Sequence, residues 1–396
     1  MRRSIVLAVI CLIFFATGGL TAIKRTSSFS SGEESRHTEP TADRRNPRLL
    51  ALRPNVWVKI KEARGLHWHR QAHAGIAYDS KRGRLLIFGS DTHGLDWDNE
   101  VHEFDPVTGT WTTHYQRAPK ESYRADPAGR AIAGGTRLLP WAMHTFDNII
   151  YDPKLDAIIV TALPGHNPIQ RDVPQAKIHP TWIYDLARHD WRIFENRGKP
   201  SPTFFAAASA YDPHRDIIVA YGKNGVWELG PERDEWRKAT GEVHHEIHHN
   251  MDYDSKHRVF AVFGDYHNTS MVWIYKPARV PGTRGTWEKK IPDGDPCPGD
   301  QHLPVAFDDD NGVFLLVPDN THPSPPKSSS AFVYDLETNR YTKIPGADMP
   351  PLKMNYMMVY DKFHKVFLLV TGDHSNPVTV WALKLDLEEL GIFVGH

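Results

Sequence analysis

A Tyr-Asp dipeptide recurs along this 396-residue chain: Tyr78-Asp79, Tyr151-Asp152, Tyr211-Asp212, Tyr253-Asp254 and Tyr360-Asp361, with Phe307-Asp308 as a variant. Each pair closes a short apolar run, passes through a polar turn and opens a second run, at residues 85–88, 158–160, 217–221, 259–263, 313–317 and 366–370. Hairpins repeated at intervals of roughly fifty residues point to a propeller or another repeat array. A third strand follows each hairpin, as in Val101-His102-Glu103-Phe104-Asp105 and Trp182-Ile183-Tyr184-Asp185. A fourth then opens on an aromatic: Trp111, Trp191, Trp236, Trp287 and Tyr341. Four antiparallel strands per unit make the blade of a propeller. The sixth unit lacks a convincing fourth strand, and a stray one stands at residues 56–60. It completes the last blade and closes the ring, hiding the edges an open array would expose. Residues 391–394 compete for the same slot. The expectation is an all-β fold, a six-bladed propeller closed by an N-terminal strand.

Composition narrows the function. With 47 basic against 48 acidic side chains, the net charge of −1 supplies no field to recruit nucleic acid or an anionic membrane. Arg2-Arg3 followed by a compact apolar stretch from Ile5 to Phe15 and small residues to Ala22 reads as an export signal or signal anchor, residues 1–23. Residues 24–52, rich in Ser, Arg, Glu and Thr without periodicity, read as a flexible tether, and 53–396 as the propeller. The protein is therefore expected to be secreted or periplasmic, with at most an N-terminal membrane anchor, and to be a monomer. Of the two cysteines, Cys11 falls in the leader, so Cys297 has no intrachain partner in the mature domain.

The apolar-Tyr-Asp strand, the Phe88-Gly89 and Phe263-Gly264 strand ends and the spacing down to each Trp resemble the kelch and galactose-oxidase-like propellers over residues 55–387. The usual double glycine after the second strand is single or absent, as in Gly89-Ser90, Pro318-Asp319 and Gly372-Asp373. The resemblance implies a fold and leaves the function open, because propellers host enzymes and binding modules alike.

In a hairpin, the start of the first strand lies beside the end of the second, so both emerge on one face of the disc. Five residues before the Tyr-Asp position stand His73, His248, His302 and Asn355, with His144 two residues earlier in blade two. Past the second strands come His93, His166, His267, His322 and His374, with Asn224 in blade three and Asn167 beside His166. Any one of these is an ordinary polar strand end. Ten on one rim make a site. Imidazole transfers protons, ligates metals and binds anions. A copper-radical centre would need a Cys cross-linked to Tyr, and Cys297 is the only thiol left. His245-Glu246-Ile247-His248-His249 matches HExxH in letters, but it runs into a strand rather than along a helix, where that motif works. No G-x-S-x-G or phosphate-binding Gly-rich loop is present. Asp91, Asp96 and Asp98, with Trp97 among them, offer oxygen ligands for Ca²⁺ or another divalent metal beside a ring that stacks on a sugar. A solvated, self-capped turn would look the same. No other cofactor is signalled.

His144 and His166 head adjacent strands of blade two. They resemble the pair in propeller polysaccharide lyases of the ulvan-lyase type, where His and Tyr carry out β-elimination on a uronic acid. The resemblance implies a base and a carboxylate partner in His144 and His166, in an open order. It also implies catalytic roles for Tyr221 or Tyr266 and an anionic polysaccharide held by Arg70, Lys223 and Trp97. Where that family would start blade three with Tyr, this chain has Phe204-Phe205. A non-catalytic propeller binding glycan or protein at the same face, and a metal-dependent hydrolase or oxidoreductase, are the alternatives.

Overall fold

A computed structural model describes residues 45–63, 66–94, 96–264, 267, 269–320 and 325–392. It is nearly all β: six four-stranded antiparallel sheets in a ring. Blade one is Gly75–Asp79, Arg84–Phe88, His102–Asp105 and Thr110–Thr113. Blade two runs Ile149–Asp152, Ala157–Val160, Trp182–Asp185 and Asp190–Ile193, and blades three to five repeat the order. Blade five carries an extra short strand, Asp293–Gly294, outside its fourth. In blade six, Met358–Asp361, Val366–Thr371 and Val378–Leu383 are completed by Val58–Ala63, antiparallel to Val378–Leu383. The N-terminal strand thus takes the closing slot, a few residues later than its apolar pattern indicated. Residues 393–396 lie outside the described residues.

The Tyr-Asp repeat has a local cause. Each Asp is buried and accepts N–H groups of the turn that follows. Asp79 holds Lys81 and Arg82, Asp152 holds Lys154 and Leu155, Asp212 holds His214 and Arg215, and Asp308 holds Asp310 and Asn311. Asp254 and Asp361 do the same for His257 and Phe363. These are Asx turns: the carboxylate supplies the acceptor that the reversing backbone lacks. The Tyr hydroxyls add latches between blades. Tyr78 donates to Asp361 of blade six at 2.7 Å, and Tyr360 donates to Asp310 of blade five at 2.5 Å.

At the opposite ends of the first strands the backbone turns left-handed. His73, Phe146, Ala206 and His248 have φ of 63°, 51°, 49° and 61°, and each stands five residues before its Tyr. Their amides stitch neighbouring blades: Phe146 N–H to the His73 carbonyl and His248 N–H to the Ala206 carbonyl, both at 2.7 Å, and His73 N–H to the Met354 carbonyl at 3.2 Å. Non-glycine residues held there cost roughly 1–3 kcal/mol each, and such strain gathers at functional sites. Gly75 follows from the same crowding, since a Cβ there would lie 2.1 Å from the Phe146 carbonyl oxygen.

The described domain begins before residue 53. Pro47–Leu50 is one helical turn capped by Asn46, and Leu49 is fully buried against blades one and six. The last part of the expected tether therefore packs on the propeller. Residues 1–44, including the expected signal, lie outside the described residues.

Candidate active site

Six imidazoles meet where the left-handed turns bring the chain to the axis. His73 lies 4.6 Å from His144, 5.5 Å from His302 and 6.0 Å from His248, between ring centroids. His248 and His302 are 4.6 Å apart. His93 stands 4.7 Å from both His144 and His166. Blades one, two, four and five contribute them. The cluster is graded in depth: His144 and His73 are 2% and 7% exposed, His248 and His302 half-buried, and His93 and His166 exposed. Phe146 packs against His73, His144 and His248, and Phe205 against His166, making an aromatic base for the cluster.

Thr92 joins the inner and outer groups. Its hydroxyl donates to the His166 carbonyl at 3.3 Å and so is left to accept from His144 Nε2, also at 3.3 Å. That assignment leaves the Nδ1 lone pair of His144 without a partner among the described residues, as is Nδ1 of His73, both atoms being buried. A bare buried nitrogen is costly unless something occupies it. Asp91 Oδ1 lies 3.7 Å from His144 Nε2, the nitrogen that faces Thr92 rather than the bare Nδ1, and His73, Asp91 and His144 each offer a ligand atom within 4.8 Å of the others. These three residues suit a divalent cation, since neutral imidazole with one carboxylate is a usual donor set.

Burial, followed by repulsion from neighbouring imidazoles, keeps the buried and half-buried members neutral. It lowers His73 and His302 to about 2, His144 to about 3 and His248 to about 4. His166 is lowered by burial and by His93. An unfolded histidine binds protons at a higher pH than these folded ones. The stability they contribute is therefore complete above pH 6.5 and is lost as pH falls through 6.5 toward the folded values. His73, His144, His248 and His302 each cost up to about 2 kcal/mol by pH 5. Buried Asp252, raised to about 7, and Asp300, raised to about 6, act in the opposite sense and offset part of this. Histidine NMR should find His73 and His302 neutral at pH 4.5, and His302→Leu should flatten the loss of urea midpoint between pH 7 and 5. Titration of both rings near pH 6.5 would contradict this account.

The other expected site residues divide sharply. Asp91, Asp96 and Asp98 do not form one oxygen cage: Asp91 faces His144, Asp96 faces His69 and His374, and Asp98 is buried 2.9 Å from His102. A loop of this length turns its side chains in different directions, and each carboxylate has found imidazole. Tyr221 is fully buried between blades three and four, its hydroxyl held by His245 Nδ1 at 3.1 Å and the His244 N–H at 2.8 Å, and it is not among the mouth rings. Arg70 is buried and donates to the carbonyls of Gly372, Leu352 and Lys353, so it ties loops together rather than meeting a ligand. Asn167 and Asn355 are likewise spent on backbone, at Ala142 and Ile169 and at Val370 and Met357. Lys223 is exposed, and His267 is exposed beside Glu246. Trp97 packs edge-on against Tyr123 with Lys120 above it. Tyr266 and His322 lie outside the described residues. In the HExxH-like stretch, which is not helical, His248 joins the mouth while His245 and His249 pack on Tyr221. Cys297 is partly buried and packs against the core shared by blades four and five, its thiol raised by burial.

Tyr356 is the aromatic that sequence reasoning missed. Its hydroxyl shares a 2.9 Å hydrogen bond with His248 Nδ1, and its ring packs on Phe146 and His302. The signal was its place one residue past the Asn355 position.

Fold and site together define a six-bladed β-propeller with a histidine-lined axial mouth. No protein-family model matches the chain, and no curated protein does. Among solved structures, it is similar to a structural genomics protein of unknown function from Bacteroides thetaiotaomicron, with 13% identity, a TM-score of 0.48 and coverage of 82% of this chain and 75% of that one.

Proposed function

We propose that the protein is an exported polysaccharide-degrading enzyme, a lyase that cleaves an anionic, uronate-containing polysaccharide by β-elimination at the histidine mouth. The observation that carries this reading is the packing of two exposed imidazoles, His93 and His166, beside buried neutral ones, with His93 edge-on to His144. Neutral imidazole is the form that accepts a proton, and a cluster that resists positive charge gains basicity when an anionic sugar enters. In this scheme His166, exposed and in contact with Phe205, is the base. It takes the C5 proton, the C5–H electrons form the C4–C5 double bond, and the C4–oxygen bond breaks. The imidazolium returns the proton to the leaving oxygen, and no water is consumed. His144, too deep to reach the sugar ring directly, supports the pair through Thr92. A divalent cation at His73, Asp91 and His144 would oppose the substrate carboxylate. His248 and His302 line the far side, and Trp97 with Lys120 offers a sugar platform at the margin.

The test is a panel of uronate polymers, ulvan included, incubated with the purified domain. An unsaturated product absorbing in the near ultraviolet is expected from at least one. Binding without such a product for any polymer would replace the lyase by a glycan-binding propeller.

A further inference from the structure

We propose that His69, Asp96 and His374 form a transition-metal site, taking Zn²⁺ or a similar borderline cation, that staples blade six to blade one. The three come from three segments. His69 lies where the chain leaves the closing strand of blade six for blade one, Asp96 on the second loop of blade one, and His374 on the corresponding loop of blade six.

One carboxylate oxygen is their meeting point. Asp96 Oδ2 lies 3.5 Å from His69 Nε2 and 4.0 Å from His374 Nδ1, and all three atoms fall within 4.8 Å of one another. Ligands about 2.0–2.1 Å from a tetrahedral ion stand about 3.3 Å apart, so closure of about 0.7 Å between His374 and Asp96, with the two imidazoles drawing together, completes three corners. The other oxygen, Oδ1, is taken by Arg117 at 3.6 Å, which leaves Oδ2 for the ion. Two imidazoles and a carboxylate select Zn²⁺, Co²⁺ or Ni²⁺ over the Ca²⁺ that the aspartates alone suggested. The fourth corner is open to water.

The scaffold is prepared for it. Arg70, next to His69, donates through Nε to the Gly372 carbonyl at 2.6 Å, two residues from His374, so the two histidine-bearing segments are held in register. The Asp96 N–H donates to the Asp91 carbonyl, and the Asp96 carbonyl accepts from Ser90 Oγ at 2.6 Å, pinning the third ligand. Asx turns at Asp373 shape the loop of His374. The seam between first and last blades is where a propeller opens, and an ion bound only by the closed ring stabilises closure by mass action. This holds whatever chemistry the mouth performs.

The experiment combines location with affinity, on protein purified without a histidine tag. Crystals soaked with Co²⁺ should give an anomalous peak bounded by His69, Asp96 and His374. Calorimetric titration with Zn²⁺ should show His374→Ala losing at least tenfold in affinity at one site, together with the zinc-dependent rise in melting temperature. His374 is half exposed, so this variant folds. Asp96→Asn should behave alike. A cation found only at His73, Asp91 and His144 or scattered over surface histidines would overturn the proposal, as would a His374→Ala protein that binds zinc and melts like the wild type.

Discussion

His166→Ala is expected to lower the turnover of a confirmed uronate polymer by about 10²–10⁴-fold, the usual contribution of a positioned proton-transfer group. The Michaelis constant should change little, because removing an exposed ring leaves the walls of the mouth in place. His144→Ala should cost as much by another route. Its ring holds Thr92, and Thr92 holds the His166 carbonyl, so deletion loosens the base as well as the inner cluster. The two losses should not add: the double variant should resemble the worse single one, as for residues acting as a unit. Steady-state rates of the three proteins check this. Near-wild-type turnover in His166→Ala would remove that residue from the chemistry.

Asp152→Ala is expected to destabilise the domain by about 3–5 kcal/mol, read as a fall in urea midpoint at unchanged slope. Asp152 is fully buried and holds the turn amides of Lys154 and Leu155. It also receives Nε of Arg233, from blade three, at 2.5 Å. Arg233 is itself buried, and without Asp152 the carboxylate left to it is the partly exposed Asp216, beside the carbonyls of Gly230 and Asp216. Breaking a buried pair leaves a charge in low dielectric, which costs more than the pair was worth. Lys154→Ala, on the same turn but exposed, serves as the control and should cost under about 0.5 kcal/mol. Equal stability of the two variants would show the Tyr-Asp repeat to be decoration.

The fold was legible because one residue type does one job at every turn. Asp after an apolar-aromatic run is an Asx-turn cap, and counting such caps counted blades. Counting back from the caps also found the rim: His73, His248 and His302 stand five residues before their aromatic and do reach the mouth. Applied without preference for polar residues, the same count lands on Phe146 and Ala206, which form its base. The reading failed where a side chain at a strand end has two directions to choose from. Tyr221 ends a second strand as expected but turns into the core, where His245 satisfies its hydroxyl. Arg70 is adjacent to the site in sequence, yet its guanidinium is consumed by the carbonyls of three backbone segments. The three aspartates of the 91–98 loop share a stretch of chain but not a direction. Position along the strand is written in the period of the pattern. Orientation depends on partners from other blades, and no local pattern records those.

The measurement that tests the central claim most directly is the mass balance of the digest. Elimination splits a polymer without adding water, so the account predicts fragments whose masses sum to that of the substrate, with one end carrying the new double bond. Fragments that together gain a water for each cut would establish a hydrolase and contradict the assignment of His166 as a base acting on carbon.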